Sequence, residues 1–202
     1  MNNDNKPKVP NIREIIKQAV NAHKEGLTPE EIDMQEKAMI DIFENGLLPG
    51  EALGFNREFT EYVYKYAYIL YQKNKIIEAA QLFRWLITMV PTELKYKYAF
   101  IHCLIQQKHW QGAVEQLLLL GEINRKDPYP YEKICDCLIE ANDFPGALLA
   151  IEQAIIRAGD NATFAQDKEK WVMTYDYVLS QLNIDPSIIE KVRAEKKAKA
   201  SK

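Results

Sequence analysis

The length and composition of the chain indicate an ordinary globular protein or a single repeat array. It has 202 residues, of which 47% are apolar and 27% charged, and its formal net charge is −3. No apolar run approaches the roughly 20 residues that a membrane-spanning helix needs. The polar start, MNNDNKPKVP, lacks the apolar core of a secretory signal. Three Cys residues in such a chain favour reduced thiols and a cytoplasmic location.

The N-terminal region, residues 1–55, predicts a disordered lead followed by two amphipathic helices. Residues 1–11 offer little to bury. Apolar side chains at helical spacing predict a first helix over residues 12–25, which ends near Gly26. The sequence Thr28-Pro29-Glu30-Glu31 is typical of a capping box with Pro in the first turn, so a second helix should run from there to about Asn45.

The loop after these helices, residues 47–55, has the unusually apolar sequence LLPGEALGF. A solvated connection would not need so many apolar side chains. Two interpretations remain open at this point, because a sequence cannot locate a loop's partner. Either the loop folds back on the segment that follows it, or it contacts another subunit.

A 34-residue period organises residues 60–159. It relates Ala79, Ala113 and Ala147. The same step relates three sets of large apolar residues: Leu70, Leu104 and Leu138; Ile76, Trp110 and Phe144; and Phe83, Leu117 and Ile151. This pattern is typical of tetratricopeptide repeats, in which Ala lies where the two helices of a hairpin approach most closely. We therefore predict an all-α tetratricopeptide-repeat array of three helical hairpins, over residues 60–93, 94–127 and 128–159, with N-terminal helices before it.

Beyond Gly159 the period fails, and residues 160–202 predict a capping helix and a basic tail. One long helix should cover the apolar edge of the last repeat. Its predicted apolar face consists of Phe164, Trp171, Val172, Tyr175, Val178, Leu179 and Leu182. Asp185-Pro186 should begin a final charged helix. The Lys-rich end could contact nucleic acid or anionic lipid, but a solvated end is the favoured interpretation.

The sequence contains no recognisable catalytic or metal-binding motif. It has no P-loop, no Gly-rich dinucleotide fingerprint, no nucleophile elbow and no zincin motif. Cys135 and Cys137 should point about 200° apart on a helix and cannot chelate one ion together, so we expect them to pack in the core with Cys103. His102 and His109 have no partner at metal-binding spacing. We expect a protein without enzymatic activity, cofactor or metal.

The tetratricopeptide pattern predicts a concave groove lined by the first helix of each repeat. The residues predicted to line it are Tyr64, Tyr68, Tyr71 and Gln72 in the first repeat, Lys95, Tyr98, His102 and Ile105 in the second, and Glu132, Asp136 and Ile139 in the third. Gln106, Tyr129 and Glu140 occupy equivalent positions. Tyrosines that carry a polar tip suit an interface that binds apolar segments. Some of these rings could instead pack between repeats, which is the role we expect for Tyr66.

Two stretches, KYAYILYQKNKIIEAAQLF (65–83) and KDPYPYEKICDCLIEANDFPGAL (126–148), resemble the class II chaperones of bacterial type III secretion. The Tyr-x-x-Tyr-Gln run ending at Gln72 and the Asp127-Pro128 pair are the most specific parts of the resemblance. The chain departs from the family pattern where Gly usually ends the first helix of each repeat, since it has Asn74, Lys108 and Asn142 there.

This resemblance implies a cytoplasmic chaperone that binds an extended segment of hydrophobic translocator proteins in its groove. It also implies a homodimer formed through the N-terminal region. The residues that we expect at the dimer interface are Ile12, Ile15, Ile16, Ala19, Met39, Phe43, Leu47 and Leu48. Neither nucleic-acid binding nor direct membrane insertion is expected. The alternative is a general tetratricopeptide adaptor for a soluble protein. Adaptors that clamp the carboxylate tail of heat-shock chaperones need Lys and Asn where this chain has Tyr64 and Tyr68.

Overall fold

A computed structural model of the chain describes residues 11–182. In that range every regular element is helical, which confirms the all-α prediction. The α-helices are, in order, α1 (Ile12–Ala22), α2 (Pro29–Phe43), α3 (Pro49–Ala52), α4 (Arg57–Gln72), α5 (Ile76–Met89), α6 (Leu94–Gln106), α7 (Trp110–Ile123), α8 (Tyr129–Glu140), α9 (Phe144–Ala158) and α10 (Ala165–Gln181). The expected lead (except Asn11) and the final charged helix lie outside the described residues. The described residues form two compact units, which divide between Phe100 and Ile101, within α6.

The first unit begins with the paired helices α1 and α2. The Thr28 capping box is confirmed, because the Glu31 backbone N–H donates to Thr28 Oγ1 at 3.3 Å and the Thr28 N–H donates to Glu31 Oε2 at 2.8 Å. Arg13 at the start of α1 forms a 2.6 Å ion pair with Glu44, next to the end of α2. Both helices end two or three residues earlier than the sequence predicts.

The apolar loop folds back on the first repeat and contains the short helix α3. The Phe55 ring lies 5.2 Å from the Phe59 ring and 5.4 Å from Trp85. The backbone at Gly50 lies so close to α5 that an added Cβ would be 3.1 Å from the Met89 carbonyl oxygen. Of the two interpretations of this loop, the structure shows the first. Its apolar content is therefore explained largely by contacts within the chain.

The first repeat is the helical hairpin formed by α4 and α5. Ala67 of α4 and Ala79 of α5 are completely buried, and Phe83 is 1% exposed. The small side chains allow the two helices to approach closely, while the Phe ring fills the space beside them. The predicted role of Ala79 is therefore confirmed.

The second unit has one core that extends from α7 to α10. Ala113 and Ala147 are completely buried in it, as the 34-residue period predicts. Helix α8 packs against both α7 and α9, and α10 packs against α9. Trp171 and Val178 bring α10 into the same core, so the predicted capping helix is present.

Two details of the capping helix differ from the prediction. Val172 is 44% exposed and does not lie on the buried face. Phe164 lies in a 3-10 turn, Ala162–Phe164, before α10 begins, so the segment is not one long helix. The 3-10 turn interrupts the helical periodicity between Phe164 and α10. Val172 follows Trp171 by one residue, which places it about 100° around the helix from that buried side chain.

The three cysteines are core residues, as predicted. Burial raises the pKa of Cys103 and Cys137 to about 11 and that of Cys135 to about 12. Their thiols are therefore protonated and weakly nucleophilic at neutral pH. Cys135 and Cys137 can both be buried, although they point in nearly opposite directions, because α8 has a helix on each side.

A turn with positive φ follows the first helix of every repeat. Asn74, Lys108 and Asn142 have φ values of 60°, 56° and 60°. In the first of these turns the Lys75 N–H donates to the Leu70 carbonyl and the Asn74 N–H donates to the Tyr71 carbonyl, which is the Schellman pattern. The equivalent bonds recur after α6 and α8. Asn tolerates this conformation better than Lys does, so the absent glycines cost most at Lys108.

Replacing Ala113 with Leu should lower the free energy of unfolding by about 1–3 kcal/mol, because the larger side chain overpacks a fully buried position. Urea unfolding followed by circular dichroism measures this change. The matched control is Ala22→Leu at an exposed helical position, where the change should stay within about 0.5 kcal/mol. An Ala113→Leu protein as stable as the unsubstituted one would contradict the close helix approach at this residue.

Replacing Lys108 with Gly should raise the free energy of unfolding by roughly 0.5–1 kcal/mol, because Gly adopts positive φ without a steric clash. The same measurement applies. Lys37→Gly, at an exposed position inside α2, should instead lower it by about 1 kcal/mol. If both substitutions were destabilising, the left-handed turn at Lys108 would be wrong.

Candidate functional site

Two tyrosines predicted for the groove present exposed rings on the first unit. Tyr68 is 47% exposed and stacks on Tyr71 with 6.4 Å between ring centroids. Tyr98 of α6 is 39% exposed. Gln72, at the end of α4, is also exposed. Stacking already restricts the Tyr68 and Tyr71 side chains, so these two side chains lose less rotamer entropy when a ligand binds.

The Tyr64 side chain is less exposed than that of Tyr68 and makes more contacts within the fold. It is half-buried, and its ring lies 5.8 Å from Phe83 and 5.5 Å from Tyr96. Lys95 Nζ lies 4.9 Å from the centroid of the same ring. The role expected for Tyr66 is wrong, because that side chain is 51% exposed and is not packed between repeats.

Lys95 is engaged within the chain by a residue that the sequence analysis did not select. Its Nζ donates to Glu61 Oε2 at 2.6 Å, and Glu61 is 34 residues earlier, at the same repeat position. The hydrogen bond lowers the pKa of Glu61 and raises that of Lys95. The contribution of Glu61 to stability is present at neutral pH and is lost as the pH falls through its lowered pKa. The repeat register could have identified this pair.

The groove residues predicted in the second unit differ in their exposure and in their charged neighbours. His102 is exposed, whereas Ile105 and Ile139 are half-buried and pack against the core. The two acidic residues are not isolated charges, because Lys133 lies 2.9 Å from Asp136 and 3.7 Å from Glu132. The sequence analysis missed Lys133. Its cation offsets part of the negative charge that we expected in this repeat.

Tyr129 connects the third repeat to the capping helix. Its Oη donates to Asp167 Oδ2 at 2.8 Å, and its ring meets Phe164 and Trp171 edge to face at 5.6 and 6.0 Å. The hydrogen bond raises the pKa of Tyr129 and lowers that of Asp167. Repeat position alone assigned Tyr129 to the groove. Its contacts give it a structural role as well.

The residues predicted for dimerisation differ in how accessible they are. Ile16 is 2% exposed and is already covered within the chain, and Ala19, Met39 and Leu48 are half-buried. The more exposed members are Ile12 at 38%, Ile15 at 44%, Phe43 at 62% and Leu47 at 38%. Only this second group offers substantial apolar surface to another molecule.

Residues 11–182 contain neither a helix suited to crossing a bilayer nor a cluster of three potential metal ligands.

Comparisons with known proteins agree with the repeat assignment. A tetratricopeptide-repeat family model matches residues 60–91. No curated protein matches the sequence. Among solved structures, a type III secretion complex from Aeromonas hydrophila matches 73% of this chain and 99% of its own, with 15% identity and a TM-score of 0.61.

Two further structures extend this likeness. The Yersinia enterocolitica type III secretion chaperone SycD, in complex with a peptide of the translocator YopD, matches 63% of this chain and 98% of its own, at 14% identity and a TM-score of 0.54. A chain of the CopN–Scc3 complex matches 85% of this chain and 89% of its own, at 20% identity and a TM-score of 0.56. The protein therefore has the tetratricopeptide fold found in type III secretion chaperones, as the sequence resemblance predicts.

Proposed function

We propose that this protein is a cytoplasmic, non-enzymatic chaperone that binds apolar segments of membrane-inserting translocator proteins before their export. The observation that carries the proposal is the set of partly exposed tyrosines on the first unit, Tyr68, Tyr71 and Tyr98. They belong to a fold whose relative SycD has been solved with a translocator peptide. Rings with a polar tip can contact an apolar side chain while the hydroxyl bonds the ligand's backbone.

The physical problem that such a chaperone solves is premature exposure of apolar surface. A protein destined to insert into a membrane would aggregate in water. Covering its apolar segments gains about 25 cal/mol for each Å² removed from water. Ordering an extended ligand consumes much of this gain. A preformed surface, such as the Tyr68–Tyr71 stack, limits the ordering cost to the ligand and keeps the complex reversible.

The remaining predicted residues have graded roles in the proposal. Gln72 and His102 supply exposed polar groups for the backbone of an extended segment. Ile105 and Ile139 offer partial apolar contact, and Glu132 and Asp136 offer acceptors whose charge is moderated by a neighbouring lysine. Tyr64 and Lys95 have a mainly structural role, since each is engaged with neighbouring side chains of the first unit.

A second candidate function is an adaptor for a partner without membrane-inserting segments. The observation in its favour is the polar character of the third repeat, where Glu132 and Asp136 lie beside Lys133. The two candidate functions differ in whether the bound protein contains apolar, membrane-inserting segments.

We also propose that the protein self-associates. The first unit leaves large apolar side chains substantially exposed, among them Ile15 and Phe43 on the N-terminal helices and Tyr62 and Tyr66 on α4, and exposed apolar surface commonly marks an interface.

Replacing Tyr68 and Tyr98 together with Ala should weaken translocator binding by about 2 kcal/mol, or roughly thirtyfold, because both rings are exposed contact residues. The probe is each membrane-inserting translocator of the same bacterium, co-expressed with the chaperone and titrated by calorimetry. A soluble exported protein without apolar segments is the comparison ligand. Melting should change little, since neither ring is part of the core.

The control variant is Tyr177→Ala, a 50% exposed tyrosine on α10, which should leave binding unchanged. Tyr64→Ala should instead lower the melting temperature, because that ring packs on Phe83 and Tyr96. Equal binding of the comparison ligand would favour the adaptor function. Unchanged translocator binding by the Tyr68/Tyr98 variant would remove the proposed binding surface.

A further inference from the structure

The first helix of the first repeat exposes three apolar residues whose counterparts in the other repeats are covered. Tyr62 is 69% exposed, Tyr66 is 51% exposed and Ile69 is 45% exposed. The equivalent residues, 34 and 68 positions later, are Tyr96, Phe100 and Cys103 in the second repeat and Pro130, Ile134 and Cys137 in the third; all are buried except Phe100, which is half-buried.

This difference identifies a stacking face rather than a variable surface. Another position of the same helices, occupied by Ala67, Ile101 and Cys135, is buried in all three repeats. It is covered by the other helix of its own hairpin, which every repeat has. The Tyr62, Tyr66 and Ile69 positions are buried or half-buried only in the repeats that follow another repeat along the chain. The first repeat lacks such a predecessor, and this face is therefore left without its neighbour.

The N-terminal helices do not take the place of a preceding repeat. The exposures of Tyr62, Tyr66 and Ile69 are those measured with α1, α2 and α3 present. Helix α3 contacts α5, and α2 contacts α3. Phe59 lies two turns before Tyr66 and remains 44% exposed although Phe55 stacks on it, so it lengthens the exposed face. We call Phe59, Tyr62, Tyr66 and Ile69 together the α4 stripe.

We propose that the α4 stripe is the surface on which a second copy of this chain docks, with the two α4 helices antiparallel. The inference rests on the self-association part of the proposed function and is independent of what the tyrosine surface binds. An isologous pair buries the stripe of both copies at once, which removes two exposed apolar faces with one contact.

The charges beside the stripe complement each other in this arrangement. When a two-fold axis passes near Tyr62, Glu58 of each copy lies opposite Lys65 of the other. Phe59 lies opposite Tyr66, and the two Tyr62 rings meet at the centre. Each of these pairs is seven residues apart, or about two turns, so Glu58 and Lys65 lie on one side of Tyr62 while Phe59 and Tyr66 lie on the other.

The surface has room for this contact on its charged side. A groove of about 510 Å³ runs along the helix and is lined by Arg57, Glu58, Glu61, Tyr62 and Lys65. The Lys65 side chain of the second copy can enter it and approach Glu58. Opposite charges at both ends of a two-fold contact stabilise one register and penalise the parallel alternative, in which like residues would face each other.

Charge reversal tests the proposed pairing in the full-length protein. Glu58→Lys or Lys65→Glu alone places like charges opposite each other twice in the dimer, and each should raise the dimer dissociation constant at least about tenfold. The double variant, Glu58→Lys with Lys65→Glu, re-forms both pairs with reversed sign and should restore dissociation to within a few-fold. Sedimentation equilibrium over a concentration series measures the constant, and circular dichroism confirms that each variant is folded.

Three further variants decide which surface carries the contact. Tyr62→Glu should dissociate the dimer, since it puts a carboxylate at the two-fold axis. Ile15→Glu, on the N-terminal helices, and Ile77→Glu, at a 62% exposed position of α5, should leave it intact. A dimer that survives Tyr62→Glu but dissociates with Ile15→Glu would overturn the inference and place the interface on the N-terminal helices.

Two other results would also overturn it. If the double charge variant dissociates as readily as the single variants, α4 does not pair in the antiparallel register. If the unsubstituted chain is monomeric at every concentration, self-association itself is wrong. The translocator titrations with the Tyr68 and Tyr98 variant are a separate measurement. Their result tests the chaperone proposal independently of the dimer.

Discussion

A helical hairpin has two apolar faces, and it can cover only one of them by itself. The internal face is covered where α4 and α5 meet at Ala67 and Ala79, and the fully buried Ala113 and Ala147 repeat this arrangement in the second unit. The second face needs a neighbour. Helix α10 provides that neighbour for the last repeat, through Trp171 and Val178 in the shared core. The α4 stripe is the corresponding face of the first repeat, and its four side chains remain 44–69% exposed although Phe55 stacks on Phe59.

Some tyrosines in this chain pack within the fold and others present an exposed ring, and the neighbouring side chains determine which of the two occurs. Tyr64 is enclosed by Phe83 and Tyr96, whereas Tyr68, one turn later on α4, stacks on Tyr71 and keeps nearly half of its surface exposed. An enclosed ring such as that of Tyr64 contributes to stability. A ring that is stacked and still exposed, as Tyr68 is, suits the ligand contact proposed above, so the structural role and the proposed binding role lie one helical turn apart.

The sequence predicted what depends on periodicity and missed what depends on local geometry. The buried alanines, the hairpins and the capping helix all follow from recurrences that a sequence displays. The face of Val172 was wrong because this residue lies about 100° around α10 from Trp171, outside the narrow buried face. The Tyr129–Asp167 hydrogen bond joins residues 38 positions apart, which is not the repeat interval. The exposure of Tyr66 was missed because the 34-residue period predicts the same environment for equivalent residues in every repeat. It does not show that the first repeat lacks a preceding one.

Helix α4 can carry a ligand surface and a stacking surface together because they lie on different sides of it. Tyr68 follows Tyr62 by six residues, which places the two side chains about 120° apart around the helix axis. Lys95 and Glu61 form an ion pair beside Tyr64, on the side of the helix away from Tyr66. We therefore expect a second copy on the α4 stripe to leave the Tyr68 and Tyr71 rings accessible, so that the proposed self-association and ligand binding are compatible.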